Sequence, residues 1–567
     1  YEELQVTVGS NDITAQTGGT QLNFVSKRGG NIYSGDFHLY VEDEAWEMNQ
    51  TLPQEMIDRG LESPGILRLY QYGVNFGGPV VKDKVWFYGS WAIQDIHSKT
   101  IAQTEDATWL VSGYAKMNFQ LGNTSGDFNY TTDTKYKWGR AAYGAASQST
   151  GSLWDQIGPG NVINASLQHV MGNLMLTAKY AYTNGGFSLD PKAGELVDGL
   201  LTGPDRVRYS LPSFYNDGNM YYYGTDRNST NISLSGNYFA EGVMGGDHEI
   251  RFGVDYYVAD TQTSVYYPNQ RTLTQRDRSD PSSAKEIWWT TNGIENLGFK
   301  RTSFYLSDTA TFGKLTVNLG LRYDNETGSH NETTVPGLTF NGTPIFAAYM
   351  GDLTISGKDI PAAFEVSSPR LSLTYDISGD GKNVIKLSVA RYGAQSGQTL
   401  TDHTWTAWAR EVDVVWNDNG NGIVEAGEWS EDFNDWLWWN INEQDPFATE
   451  SRNKYDPDLN SPLLDELIVS FEKALGDDLI LSLTGFYKNR HNLLWYRGQM
   501  PDGTLETIDN WYVGGVHTFE SGKTKEYYSR KTRPVGNTLT NHTSDYSDEY
   551  MSLQFAISKK FSNKWML

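Results

Sequence analysis

Residues 417–428 read Asn-Asp-Asn-Gly-Asn-Gly-Ile-Val-Glu-Ala-Gly-Glu, short oxygen-bearing side chains at alternate positions closed by a carboxylate. Ca²⁺ collects many hard oxygen ligands, and a twelve-residue loop of this pattern is a known way to supply them. In that register Asn417, Asn419 and Asn421 take the first, third and fifth positions, Gly422 makes the turn and Ile423 lends its carbonyl. Glu428 falls at the last position, where a bidentate carboxylate closes the cage. Asn stands first where Asp is usual, and a shift of one residue would bring Asp418 there instead. The same residues also make an Asx- and Gly-rich turn that needs no metal. Trp405, Trp408, Trp416, Trp429, Trp436, Trp438 and Trp439 crowd around this stretch. Flat indoles suit sugars, peptides and apolar ligands and anchor interfaces, so Trp405, Trp408, Trp436, Trp438 and Trp439 are candidates for a ligand or partner loop. A loop this long also requires a small core of its own, which tryptophans would supply. A calcium-braced, Trp-packed loop joins the two readings.

Other chemistry is harder to find. The 9 His residues include no His-Glu-x-x-His pair, and there is no Gly-x-Ser-x-Gly elbow or phosphate-cradling loop, so the chain does not read as an enzyme. His403 beside Asp402, and His542 near Asp545, read as hydrogen-bonding loop residues. Cysteine is absent, which removes disulfides, thiolate metal sites and a Cys nucleophile. A net charge of −24 argues against a general nucleic-acid binder, which needs a basic stripe. Much of the acid lies in long polar segments, where it is either a solvated surface or a means of holding divalent cations among anionic surface lipids.

The elements that would carry these loops are strands. From Lys314 to Asp324, Leu315, Val317, Leu319, Leu321 and Tyr323 alternate with Thr316, Asn318, Gly320, Arg322 and Asp324. The same two-faced pattern recurs near 115–121, 174–183, 250–256 and 479–490. A soluble core strand rarely carries Arg, Lys, Asp and Asn so regularly on its second face. A transmembrane barrel strand does, with apolar residues toward lipid and polar ones toward a wet lumen. Tight turns rich in Gly, Asn and Asp, such as Gly122-Asn123, Gly172-Asn173, Gly245-Gly246-Asp247 and Gly313-Lys314, alternate with long connections. The long ones are 43–69, 97–108, 138–160, 184–224, 263–298, 325–363, 396–461 and 497–546, the largest being 396–461. Short turns on one rim and long loops on the other describe a bacterial outer-membrane barrel with extracellular loops. Aromatics at 13% suit the two interface girdles. No blade-length repeat supports a propeller. Sixteen strands and the start of another are expected here, and an even, closed barrel implies more beyond Leu567.

Two segments add a family resemblance. Residues 16–30, Gln-Thr-Gly-Gly-Thr-Gln-Leu-Asn-Phe-Val-Ser-Lys-Arg-Gly-Gly, followed by Tyr33-Ser34-Gly35, resemble the end of the plug of a TonB-dependent outer-membrane receptor. Residues 76–90, Phe-Gly-Gly-Pro-Val-Val-Lys-Asp-Lys-Val-Trp-Phe-Tyr-Gly-Ser, resemble a segment of the Oar-like branch of that family. The resemblance implies an all-β, antiparallel transmembrane barrel of about 22 strands whose lumen holds an N-terminal plug. Residues 1–30 would be the end of that plug and 31–567 the barrel. It further implies import of a bulky nutrient, energised by the inner-membrane TonB complex, from an outer membrane of lipid and lipopolysaccharide. The TonB-binding motif is not within these residues. The alternative is a surface scaffold, adhesion or secretion barrel that binds a protein partner through its loops.

Overall fold

The computed structural model describes residues 2–566 apart from 49–50, 59–61, 101–103, 142–147, 212–213, 407, 477, 520, 544–545 and 563. Asp477 and Asn563, in the Gly476-Asp477-Asp478 and Ser562-Asn563 stretches that also read as tight turns, and Asp545 near His542 lie outside the described residues.

Sixteen strands, from Ser34–Asp43 to Asp548–Lys559, form one antiparallel sheet in which each pairs with the next barrel strand along the chain. The two-residue turns fall where Gly-Asn and Gly-Lys were read. Leu121 pairs with Thr124, Met171 with Leu174, and Phe312 with Leu315. Gly122, Gly172 and Gly313 adopt φ of 59°, 58° and 59°, the left-handed start that hairpin turns need and side chains resist. The turn expected at Gly245-Gly246-Asp247 sits slightly earlier, at Met244-Gly245, because Val243 pairs with Gly246.

The two faces are inverted relative to a soluble sheet. In the Leu315–His330 strand, Leu319 and Leu321 are 61% and 53% exposed, whereas Arg322 and Asp324 are each 1% exposed. The outward row continues around the sheet: Leu167, Ala178, Leu234, Val254, Phe304 and Tyr323 are successive cross-strand neighbours. A contiguous apolar surface of this extent would drive aggregation in water and is stable against lipid. Asp308, opposite Leu319, interrupts it and accepts a hydrogen bond from His248 Nδ1 at 2.7 Å.

Several segments read as loops are the upper ends of strands. The Tyr222–Val243 strand has 22 residues, which at about 3.3 Å each greatly exceeds an apolar belt of about 25 Å. Likewise the 325–363 connection begins only after His330 and ends at Lys358. Above the belt both faces are wet, so pairing persists while the alternation that marks a strand in the sequence disappears. The remaining loops also fold. Arg206–Leu211, Tyr215–Asp217, Arg271–Asp277, Lys285–Thr290, Glu411–Val415 and Trp436–Trp439 make a separate six-stranded sheet from three different connections.

Candidate ligand-recognition site

Two arrangements of side chains stand out, one inside the barrel and one in the loop sheet. Glu3–Thr7 and Gln21–Val25 pair as a hairpin, and the chain between them crosses the inner face of the sheet. Ser10 N donates to Glu466 at 2.7 Å, Asn11 N to the Tyr392 hydroxyl at 2.9 Å, and Arg251 pairs with Asp12 at 2.6 Å. Arg322 donates to the Thr14 carbonyl at 3.1 Å while bonding Asp324 and Asp255. Arg370 donates to the Asn11, Asp12 and Ala15 carbonyls and lies over the Tyr392 ring. Ser26 accepts from Tyr114 at 2.7 Å and from Lys116 at 3.1 Å. A single segment reaches strands this far apart only because the sheet curls around it. Buried Arg322, paired with Asp324 and Asp255, and buried Arg370 donate to carbonyls of the segment and hold it against the inner face of the sheet.

The loop sheet is built on an aromatic core. Leu273, Ile287, Trp289, Val412, Val414 and Trp436 are buried together, with Trp429, Phe433 and Trp439 packed against them. Rings of Trp289 and Trp429, and of Phe433 and Trp436, lie 5.0 Å apart. Of the tryptophans read as a ligand or partner loop, Trp436 belongs to this core and Trp439 lines it. Trp405 is buried in a neighbouring cluster with Leu297, Val335 and Ile355, its indole donating to the Ile294 carbonyl at 3.1 Å. Trp408 and Trp438 are exposed. The cluster therefore divides between a core and an outward surface. His403 hydrogen-bonds within its loops as expected, Nε2 donating to the Lys454 carbonyl at 2.9 Å.

Residues 417–428 hang from this core by Trp416 and Val424. Glu428 is buried, and its carboxylate accepts from Trp416 Nε1 at 2.9 Å, Asn419 N at 3.0 Å and Glu425 N at 3.0 Å. The Trp416 indole, then the two backbone N–H groups, hold its pKa below the usual carboxylate range. Asn419 and Asn421 side-chain oxygens accept from Asn421 N and Ile423 N at 3.0 and 2.7 Å. Asp418 is engaged by Lys285 and by Gly420 N and Gly422 N. Asn417 is exposed, its N–H donating to the Glu428 carbonyl at 2.8 Å.

One group went unnoticed in the sequence. On the sheet face away from the core, Asp413 is 8% exposed, and one of its oxygens has no hydrogen-bond partner among the described residues. Burial, then the charges of Glu411 and Glu286, push its carboxyl up to about 8. The acid–apolar alternation Glu411-Val412-Asp413-Val414 was visible, but which residues flank Asp413 depends on pairing between segments more than a hundred residues apart.

A family model described as outer membrane beta barrel domain matches residues 25–190 and 170–567. The chain belongs to this family. The outer-membrane barrel accordingly crosses a bacterial outer membrane by its strands; no helix among the described residues is long and apolar enough to do so. No curated protein matches its sequence. Solved structures resemble it in fold. The outer membrane transporter YddB from Escherichia coli aligns over 95% of this chain and 58% of its own, with TM-score 0.58 and 11% identity. The siderophore receptor PirA from Acinetobacter baumannii aligns over 99% and 65%, with TM-score 0.54 and 11% identity. A double mutant of the Serratia marcescens hemophore receptor HasR, solved with its hemophore HasA and heme, aligns over 98% and 66%, with TM-score 0.51 and 11% identity. The chain thus spans under three fifths of the length of the Escherichia coli transporter.

Proposed function

We propose that this outer-membrane barrel is part of a TonB-dependent receptor of the Oar-like branch, which imports a bulky nutrient using energy from the inner-membrane TonB complex. Residues 1–30 serve as the last part of the plug. The observation that carries this reading is the lumen lock. Arg322 and Arg370, both buried, hold the carbonyls of residues 11–15, a costly arrangement with little use in a passive pore. The exposed loops, set among lipopolysaccharide, recognise the cargo or a protein that carries it. The test is accumulation of ligand co-purified with the full protein, relabelled and offered to cells. Removing TonB is expected to abolish accumulation, and unchanged uptake would reject active import.

We also propose that the 417–428 loop holds Ca²⁺. Asn417, Asn419, Asn421 and Glu428 would supply side-chain oxygens and Ile423 its carbonyl, and the ion would brace the loop against the aromatic core. The chemistry of the donor set supports this, because the Asn419 and Asn421 side-chain oxygens each accept one hydrogen bond and keep a second lone pair for a cation. Bound calcium would be read directly by metal analysis of the dialysed protein.

A further inference from the structure

The loop sheet uses one face for packing, and the other carries an arrangement that neither transport nor calcium explains. Strand alternation sends Ile287, Trp289, Val412 and Val414 into the core and Glu286, Trp288, Glu411 and Asp413 to the opposite face. Register then sets Trp288, Asp413 and Trp438 side by side on three neighbouring strands. With strands about 4.8 Å apart, the two indoles rise from backbone positions about 10 Å apart, on either side of one short carboxyl. That carboxyl is buried with an unpartnered oxygen, and its nearest charged neighbours, Glu411 and Glu286, have its own sign.

Arg206 and Arg208, the two cations that act on an acid of this face, are engaged elsewhere. Arg206 donates to Asn216 at 3.2 Å and lies over the Tyr221 ring. Arg208 sits between the Phe214 and Trp288 rings, 5.0 Å from each. Both act on Glu411, which also accepts from Thr290 at 3.2 Å. The Trp288 indole donates to Glu286 at 3.0 Å, which fixes that ring. Arg208 therefore shows how the face binds a guanidinium, layered between two aromatic rings. The next interval along the row has a ring on each side and a carboxyl at its base.

We propose that Trp288, Asp413 and Trp438 form a binding site for a guanidinium group, the arginine side chain of an extracellular peptide. The planar cation stacks on the indoles and pairs with Asp413. Trp438, exposed at 41%, is the ring the ligand meets first, and its displacement uncovers the carboxyl. The chain's charge of −24 draws such ligands toward it. A metal is the poorer fit, because among the described residues no three His, Asp or Glu side chains are grouped to hold one. Pairing requires Asp413 in its anionic form, so binding releases a proton to the solvent. The site stands whether or not cargo passes through the barrel.

The test is calorimetric titration of the full protein with N-acetyl-arginine amide and with its uncharged twin, N-acetyl-citrulline amide. The arginine compound is expected to bind at least about tenfold more tightly, the usual worth of a charge-assisted contact. Its affinity should rise from about pH 6 to about pH 9, with heats that vary with buffer ionisation as a proton is released. Asp413→Asn should weaken it at least about tenfold and remove the pH dependence, as should Trp438→Ala in part. Asp509→Asn, an exposed acid in a different loop, should change nothing. Equal binding of the two compounds, absence of binding, or an Asp413→Asn protein with native near-ultraviolet dichroism and unchanged affinity would overturn the proposal. Should Asp413→Asn fail to fold, the arginine–citrulline comparison on the natural protein decides alone.

Discussion

Placing an arginine on the outward face should distinguish lipid from water as its surroundings. Leu306 is 58% exposed and is flanked across the strands by Phe252 and Leu321. It lies seven residues before Gly313 of the tight turn. With about 3.3 Å of rise per residue and a tilt near 40°, each residue adds about 2.5 Å of height. Leu306 is then about 18 Å above the turn, well inside an apolar belt about 25 Å tall. An arginine at such a depth costs about 2–4 kcal/mol at the midplane and less toward the edges, so Leu306→Arg should destabilise the folded barrel by about 2 kcal/mol. The same change at a water-exposed leucine costs within about 0.5 kcal/mol of zero. Urea unfolding in phosphatidylcholine vesicles, followed by tryptophan fluorescence, reads the difference. A change below about 0.5 kcal/mol would refute the lipid-facing assignment of this row.

Arg322→Ala should leave Asp324 buried without its partner, costing about 3–5 kcal/mol, and should loosen residues 11–15. Planar-bilayer conductance should rise; an unchanged conductance would remove the segment's role as a barrier. Glu428→Gln should abolish the stabilisation by Ca²⁺, which for the natural protein at about a hundredfold over Kd amounts to about 2.7 kcal/mol; melting indifferent to calcium and chelator would dismiss the metal. The Asp413 carboxyl is raised from 3.8 to about 8 in the fold, so the folded state keeps a proton that the unfolded chain loses. Stability of the loop sheet should therefore fall as pH rises from about 4 to about 8 and level off above. Hydrogen exchange at the Val412 and Val414 amides, corrected for intrinsic rates, should follow that slope, and Asp413→Asn should flatten it.

Much of the barrel was legible because lipid on one side and water on the other impose a period of two that survives in any single strand, as in Leu315 to Tyr323. The turns were legible because positive φ selects Gly, as at Gly122, Gly172 and Gly313. Strand ends above the membrane were not, since Thr327, Ser329 and His330 still pair but face water or loops on both sides. The loop sheet was hidden for a different reason. Its strands are three to seven residues long and come from three connections, so neither face repeats often enough to show. The tryptophans announced a core there without saying which of them faced outward. Trp436 and Trp438 are two residues apart, a spacing that would put them on one face, yet they lie on opposite faces because of the bulge between Asp413 and Val414.

Since the chain contains no cysteine, single cysteines placed one by one from Thr316 to Leu321, omitting Gly320, give an unambiguous map of what touches each side chain. Labelled with a small fluorophore in vesicles, positions 317, 319 and 321 should be quenched by nitroxide lipid and spared by aqueous iodide, and positions 316 and 318 should show the reverse. Iodide reaching all five positions alike, with no alternation in lipid quenching, would contradict a barrel wetted by hydrocarbon on its outer face.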